Sequence, residues 1–256
     1  MSHALDFATS LAKDAGALIR ENFALGVNRT WKDNDTPLTV TDTKINDLVL
    51  ARVHESYPND SIRAEEGSDL SRSQSDIWVC DPLDGTFPFM HGIPVSTFTL
   101  ARVVSGIPIL GVIYDPFTDR LFAAEKGAGA TLNGQKINTR KISSLKNESI
   151  GVVFWKGNMN TMNPFLKRAT DAGAKIFDLV SIAYMDAMVA SGELAATVFP
   201  GESAHDSAAA KIVVEEAGGL VTSMRGEDQR YDREVQGHIA AAGAAVHAEL
   251  LRHLGL

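Results

Sequence analysis

The sequence predicts a layered α/β fold, α+β in its first part, made of two closely packed halves split near residue 145, 1–145 and 146–256. Three observations carry this. Apolar residues recur at helical spacing in the opening segments, short β-rich pieces separated by Gly and Pro turns follow, and beyond about Ser149 strand-like and helix-like segments alternate. A chain of 256 residues can bury a large core, and neither a repeat nor a long linker divides it.

The elements follow in order. Leu5, Ala8, Leu11, Ala12, Ala15, Leu18 and Ile19 share one face of a first helix, and Ile45, Leu48, Val49 and Val53 one face of a second. Residues 61–64 read as a short strand, and the apolar run Trp78-Val79-Cys80 as a buried strand stopped by a Pro and Gly turn. Residues 97–104, 110–114 and 120–124 read as strands and Leu132-Asn133-Gly134-Gln135 as a hairpin, since Asn-Gly accepts the positive φ that a tight turn needs. The first half is therefore an antiparallel sheet flanked by helices. The second half predicts a strand at 150–155, helices at 162–172 and 182–191, and a strand at 195–199. A helix at 206–217 ended by Gly218-Gly219, a strand at 238–242 and a helix from Ala245 complete it.

Composition narrows the function. A net charge of -8 argues against a nucleic-acid polymer as partner. The single cysteine, Cys80, excludes an internal disulfide and is expected to be buried and inert. The first twenty or so residues lack a signal-peptide core, and no apolar run is long enough for a bilayer, so a cytoplasmic protein without a membrane partner is expected. His3, His54, His91, His238, His247 and His253 show no metal-ligand spacing and read as surface or structural, with His91 near enough to the 78–86 segment to support it from behind.

Carboxylates carry the chemistry. Asp81 and Asp84 in Asp81-Pro82-Leu83-Asp84-Gly85-Thr86 sit where a buried strand ends. Like charges so close raise one another's pKa unless a cation neutralises them, and paired carboxylates with room for water suit Mg²⁺. Glu65-Glu66 ends the 61–64 strand, where neighbours point to opposite sides, so one of the two is expected to face the same place. Asp206 and Asp42 each open a helix. Ala208, Ala209 and Ala210 would let the first of these approach another backbone closely. Each acid alone is also explained as a solvated turn or a helix cap.

Together these segments resemble the inositol monophosphatase family, the lithium-sensitive, magnesium-dependent phosphatases that include fructose-bisphosphatases, histidinol-phosphate phosphatases and bisphosphate nucleotidases. The run 81–86 matches the family's first signature, and His205-Asp206-Ser207-Ala208-Ala209-Ala210 through Glu216-Ala217-Gly218-Gly219 its second. Thr39-Val40-Thr41-Asp42 and Ala64-Glu65-Glu66-Gly67 fall in the family's order and at its spacing. The resemblance implies an αβαβα sandwich of the inositol monophosphatase and fructose-1,6-bisphosphatase type, with most metal ligands in 1–145 and Asp206 and the specificity loops in 146–256. It implies that Glu65 and Asp81, with the Leu83 carbonyl, hold one Mg²⁺, that Asp81, Asp84 and Asp206 hold a second, and that a weaker third ion lies near Glu65. Asp42 and Thr86 correspond to the pair that orients and deprotonates the attacking water, with Glu65 counted among the catalytic groups. Gly85 and Thr86 would offer backbone N–H groups to the phosphate. A homodimer is implied too.

The chain departs from the family's pattern where substrate would bind. Phe87-Pro88 replaces small polar residues, His205 stands where tryptophan is usual, and Phe199 stands near the place of a glutamate that binds inositol hydroxyls. Glu202 could reach the pocket instead, and Lys32 lies within one residue of a family lysine. The expectation is a phosphoric monoester hydrolase acting on a small polyol, sugar or related phosphate, with inositol 1-phosphate disfavoured because a phenyl ring accepts no hydrogen bond. The alternatives are a 3'(2'),5'-bisphosphate nucleotidase, a fructose-1,6-bisphosphatase, a histidinol-phosphate phosphatase, or a catalytically silent homologue that binds a metal or a partner.

Overall fold

The computed structural model describes residues 2–24, 29–32, 37–155, 157–201 and 203–256. Helix α1 (His3–Asn22) begins at Ser2, whose hydroxyl accepts the Leu5 N–H, and buries the stripe Leu5, Ala8, Leu11, Ala12, Ala15 and Ile19. The short strands β1 (Arg29–Trp31) and β2 (Pro37–Thr39) pair antiparallel and lead into α2 (Val40–Ser56). A seven-stranded sheet follows, formed by β3 (Ser61–Ala64), β4 (Asp76–Asp84), β5 (Thr97–Val104), β6 (Ile107–Asp115), β7 (Arg120–Glu125), β8 (Gly129–Leu132) and β9 (Gln135–Ile137). The short helix α3 (Thr86–Met90) interrupts it after β4. Only the β3 to β4 pairing is parallel.

The rest of the chain alternates, as expected: β10 (Ser149–Val152), α4 (Met159–Asp171), β11 (Lys175–Phe177), α5 (Ile182–Ala190), β12 (Ala196–Phe199), α6 (Ala204–Glu216), β13 (Leu220–Thr222), β14 (His238–Ala241) and α7 (Ala244–Leu254). Its five strands lie in the order β11-β10-β12-β14-β13. Helices α1 and α2 cover one face of the larger sheet, α5 and α6 fill the space between the two sheets, and α4 and α7 cover the far face of the smaller one. This is the αβαβα sandwich, with three apolar cores: one between α1, α2 and the larger sheet, one around α5 and α6 between the two sheets, and one between the smaller sheet and α4 and α7.

Two packing details bear on function. The alanines of α6 do permit a close approach, because a Cβ at Gly111 of β6 would lie 3.0 Å from the Ala209 Cα. Strand β10 ends at Val152 rather than at Trp155. The apolar run continues past the ladder because Trp155 packs its ring against Phe199, with centroids 6.1 Å apart, and gains contact without pairing.

Candidate active site

Strand β4 carries its apolar run inward and ends on Asp81 and Asp84, which are 2% and 6% exposed. Residues three apart in a regular strand face opposite sides. Here Asp81 opposes Thr99 while Asp84 opposes Thr97, so three steps on β4 match two on β5. This bulge absorbs the extra residue and turns both carboxylates into one cleft. Asp81 Oδ1 accepts the Leu83 N–H (2.8 Å) and shapes the turn through Pro82. Gly85, at φ +88°, then starts α3; a Cβ there would lie 2.8 Å from the Val95 carbonyl oxygen, so only glycine fits.

The other acids arrive from separate elements. Asp42 is not itself the cap of α2. Thr39 is, and Asp42 closes the capping box by accepting the Thr39 N–H (2.8 Å) on Oδ2. Its Oδ1 accepts the Thr86 hydroxyl (3.0 Å), which also lies 3.0 Å from the Leu83 carbonyl. Asp206 occupies the first turn of α6, capped by Ser203. Carboxylate oxygens of Asp81, Asp84 and Asp206 lie within 4.8 Å of one another, as do donor atoms of Glu65, Asp81 and His205. The cleft, of about 150 Å³, is lined by these acids with Leu83, Gly85, Thr86, Phe87 and Val180. Larger hollows of about 470 and about 600 Å³ elsewhere on the surface contain no such cluster among the described residues.

Electrostatics make the cluster demanding. Burial, then the charges of Glu65, Asp206 and Asp84, push the Asp81 carboxyl well above the ordinary range. Burial and Asp206 push Asp84 up to about 7, against hydrogen bonds that pull it down. Burial chiefly raises Asp42 as well. Among the described residues no lysine or arginine pairs with Asp81, Asp84 or Asp206. Lys32 reaches only the edge, 2.7 Å from Glu65 and 2.5 Å from Glu66. Burial works to lower the Lys32 pKa, but the two glutamates outweigh it and leave it raised. A set of hard oxygen donors left with buried like charges fits a divalent cation such as Mg²⁺.

Several partners carried no signal in the sequence. Asp84 caps the N-terminus of α5 from another strand: Oδ1 accepts the Ile182 N–H (3.2 Å), and Oδ2 accepts the Ala183 N–H (3.0 Å) and the hydroxyls of Ser181 (2.7 Å) and Thr97 (3.1 Å). Thr99 joins β4 to α6, its hydroxyl accepting the Asp81 N–H (3.1 Å) and donating to the His205 carbonyl (3.2 Å). We expect Thr99→Val to lower stability by about 1–3 kcal/mol, the cost of leaving buried polar groups unpaired, and to weaken cation binding, read by denaturant titration and calorimetry. Unchanged cation affinity would show that this hydroxyl does not position the acids.

Behind the cleft, His238 Nε2 lies 2.8 Å from Asp186 Oδ2, and the Thr197 hydroxyl donates to the other oxygen; both side chains of the pair are fully buried. His238 is thus structural, as read from the sequence, whereas His205 meets the acids. His91 instead approaches the Phe87 carbonyl with Nδ1 (2.8 Å) and packs its ring, tilted by 42°, against the Phe87 ring. Phe87 is 46% exposed at the cleft rim. Phe199 does not line the cleft: it is buried between the rings of Trp155 and His238. Glu202 lies outside the described residues. Cys80 is buried, its thiol pushed well up by burial.

The sequence model of the inositol monophosphatase family matches residues 1–255. A protein of Chlorobaculum parvum named histidinol-phosphatase is 30% identical over 100% of this chain and 98% of its own length. A Pseudomonas aeruginosa protein named Nus factor SuhB is 31% identical over 98% of this chain and 95% of its own. Among solved structures, an IMPase of Thermotoga maritima superposes with a TM-score of 0.90 at 27% identity, covering 99% of this chain and 97% of the other. Fold and site thus define a phosphoric monoester hydrolase. The chain belongs to the inositol monophosphatase family. No helix among the described residues is long and apolar enough to cross a membrane.

Proposed function

We propose that the chain is a Mg²⁺-dependent phosphomonoesterase that releases phosphate from a small polyol, sugar or related ester. The observation that carries this is the convergence of Asp81, Asp84 and Asp206 without a protein cation, beside the hydrogen bond from Thr86 to Asp42. Glu65, Asp81 and the Leu83 carbonyl would hold one ion, Asp81, Asp84 and Asp206 a second, and a third near Glu65 would compete with Lys32 for that carboxylate. Bound there, Mg²⁺ supplies Lewis-acid charge that makes water nucleophilic near neutral pH and stabilises the leaving oxygen. The chain's own residues do the rest. The Thr86 hydroxyl, donating to Asp42 Oδ1, turns its oxygen lone pair to an incoming water, so that a proton can pass from water to Thr86 as the Thr86 proton passes to Asp42. Burial, which raises the proton affinity of Asp42, favours that transfer. The backbone N–H groups of Gly85 and Thr86, in the turn that leaves β4, are the donors assigned to the phosphate. The family likeness supports a homodimer in the cytoplasm and two halves divided near residue 145.

A second reading is a histidinol-phosphate phosphatase. Trp155, 46% exposed and backed by the buried Phe199 ring, puts an aromatic face beyond the C-terminal end of β10, and this surface suits a planar ring better than a polyol. The relative named histidinol-phosphatase supports it. Phosphate release from inositol 1-phosphate, fructose 1,6-bisphosphate, histidinol phosphate and 3'-phosphoadenosine 5'-phosphate, measured with Mg²⁺ and with chelator, tests both readings. Thr86→Val should lower kcat about 10²- to 10⁴-fold, the range of general acid and base effects, while calorimetric Mg²⁺ affinity stays unchanged. A Mg²⁺-loaded protein that hydrolyses none of these esters would refute the assignment.

A further inference from the structure

We propose that His205 supplies an imidazole nitrogen ligand to a cation held by Glu65 and Asp81, and that this end of the cleft takes a transition-series divalent cation, Mn²⁺ in the first instance, in preference to Mg²⁺. The inference rests on the reading that the cleft holds divalent cations, and deepens it by giving its two ends different donors. Donor atoms of Glu65, Asp81 and His205 lie within 4.8 Å of one another, and the His205 Nε2 is 3.9 Å from Asp206 Oδ2. Two ligands on one octahedral ion at about 2.1 Å stand about 3.0 Å apart when adjacent and about 4.2 Å when opposite, so small side-chain rotations close the set.

Two further observations point to a ligand here. Among the described residues, Asp81 accepts a hydrogen bond on one oxygen only, from the Leu83 N–H. Asp81 is 2% exposed and lines the cleft, and its other oxygen has no protein donor among the described residues. The His205 ring likewise has no hydrogen bond among the described residues, although its backbone is fixed: the His205 carbonyl accepts the same Thr99 hydroxyl that receives the Asp81 N–H. The ring is therefore held beside Asp81 by two main-chain links and left with its nitrogen unspent. A side chain 21% exposed also leaves room for coordinated water. Mg²⁺ takes oxygen ligands and sheds its waters reluctantly, whereas imidazole with carboxylates suits the first-row transition ions. The Asp81, Asp84 and Asp206 end offers oxygen alone and keeps the preference for Mg²⁺.

Protein stripped with chelator and loaded with one equivalent of Mn²⁺ should show, in pulsed electron paramagnetic resonance, the ¹⁴N modulation of a directly bound imidazole. His205→Gln should abolish that modulation and weaken Mn²⁺ binding by about tenfold or more in calorimetry, the loss typical when support for a metal ligand set is removed. Mg²⁺ affinity should stay within about twofold, and matching thermal melts in chelator would show that the variant folds. Bound Mn²⁺ without ¹⁴N modulation, or modulation that survives in His205→Gln, would overturn the proposal and leave His205 as a neighbour of Asp206 alone. Failure of the unaltered protein to bind either cation would instead overturn the reading of the cleft on which the proposal rests.

Discussion

Asp84→Asn should abolish phosphatase activity, by about a thousandfold or more given the several kcal/mol that cation charge contributes to such a transition state, and yet make the metal-free protein relatively more stable as the pH rises. The sign follows from the carboxyl itself. Its folded pKa stands at about 7 against an ordinary 3.8, so the folded chain keeps a proton that the unfolded chain has lost. A raised carboxyl costs nothing below its unfolded pKa, costs progressively more between the two values, and costs its full amount, about 4 kcal/mol, above the folded one. Asparagine removes that cost, although its amide cannot accept every bond from Ser181, Thr97, Ile182 and Ala183, a loss of about 1–3 kcal/mol at any pH. Denaturant melts in chelator should therefore show the difference between the two proteins moving in the variant's favour by about 2–3 kcal/mol from pH 5 to pH 8. A difference independent of pH would mean that Asp84 is ionised without a cation, and the electrostatic case for the cleft would fail.

The second large effect lies in the buried pair behind the cleft. His238→Ala leaves the Asp186 carboxylate with only the Thr197 hydroxyl, in a place with no access to water, and should cost about 3–5 kcal/mol. Replacing both partners together by leucine should cost far less than either single change, since the desolvation penalty then disappears with the charges. Burial works to lower the His238 pKa, but Asp186 outweighs it and leaves the value raised. The charged pair therefore contributes fully below about 6.5, and its contribution is lost as the pH rises through the higher folded value. Equilibrium unfolding at pH 6 and pH 9 reads this directly: the single-variant deficit should be larger at pH 6. A deficit that grows with pH would mean that His238 is neutral in the folded state throughout.

What could be read beforehand was what leaves a local trace. The helical stripe of α1, the Asn-Gly hairpin, the Gly218 stop after α6 and the buried run ending at Asp81 all rest on neighbours within a few residues. The four motif segments could be ordered along the chain, but their meeting could not be derived from spacing; it came from the family likeness. Three-residue strands such as β11 and β13, at the two edges of the smaller sheet, are too short to display an alternation. The partners of Asp84 on α5 lie 97 to 99 residues away, and those of Asp186 on β14 lie 52 away. No periodicity marks pairs that distant. Ser181 shows the limit well, because it looks like an ordinary cap while its hydroxyl serves another strand.

The Thr99 hydroxyl, a single oxygen between β4 and α6, has a consequence for the order of events in folding. Asp81 and Asp84 belong to the larger sheet, but Asp206 joins them only when α6 has docked beneath it. A chain that has formed only the larger sheet presents Glu65, Asp81 and Asp84 but lacks Asp206, and the smaller sheet alone lacks all three. The cation thus binds the finished molecule more tightly than anything that precedes it, so its grip should be felt chiefly as slower unfolding, with the rate of folding changed far less.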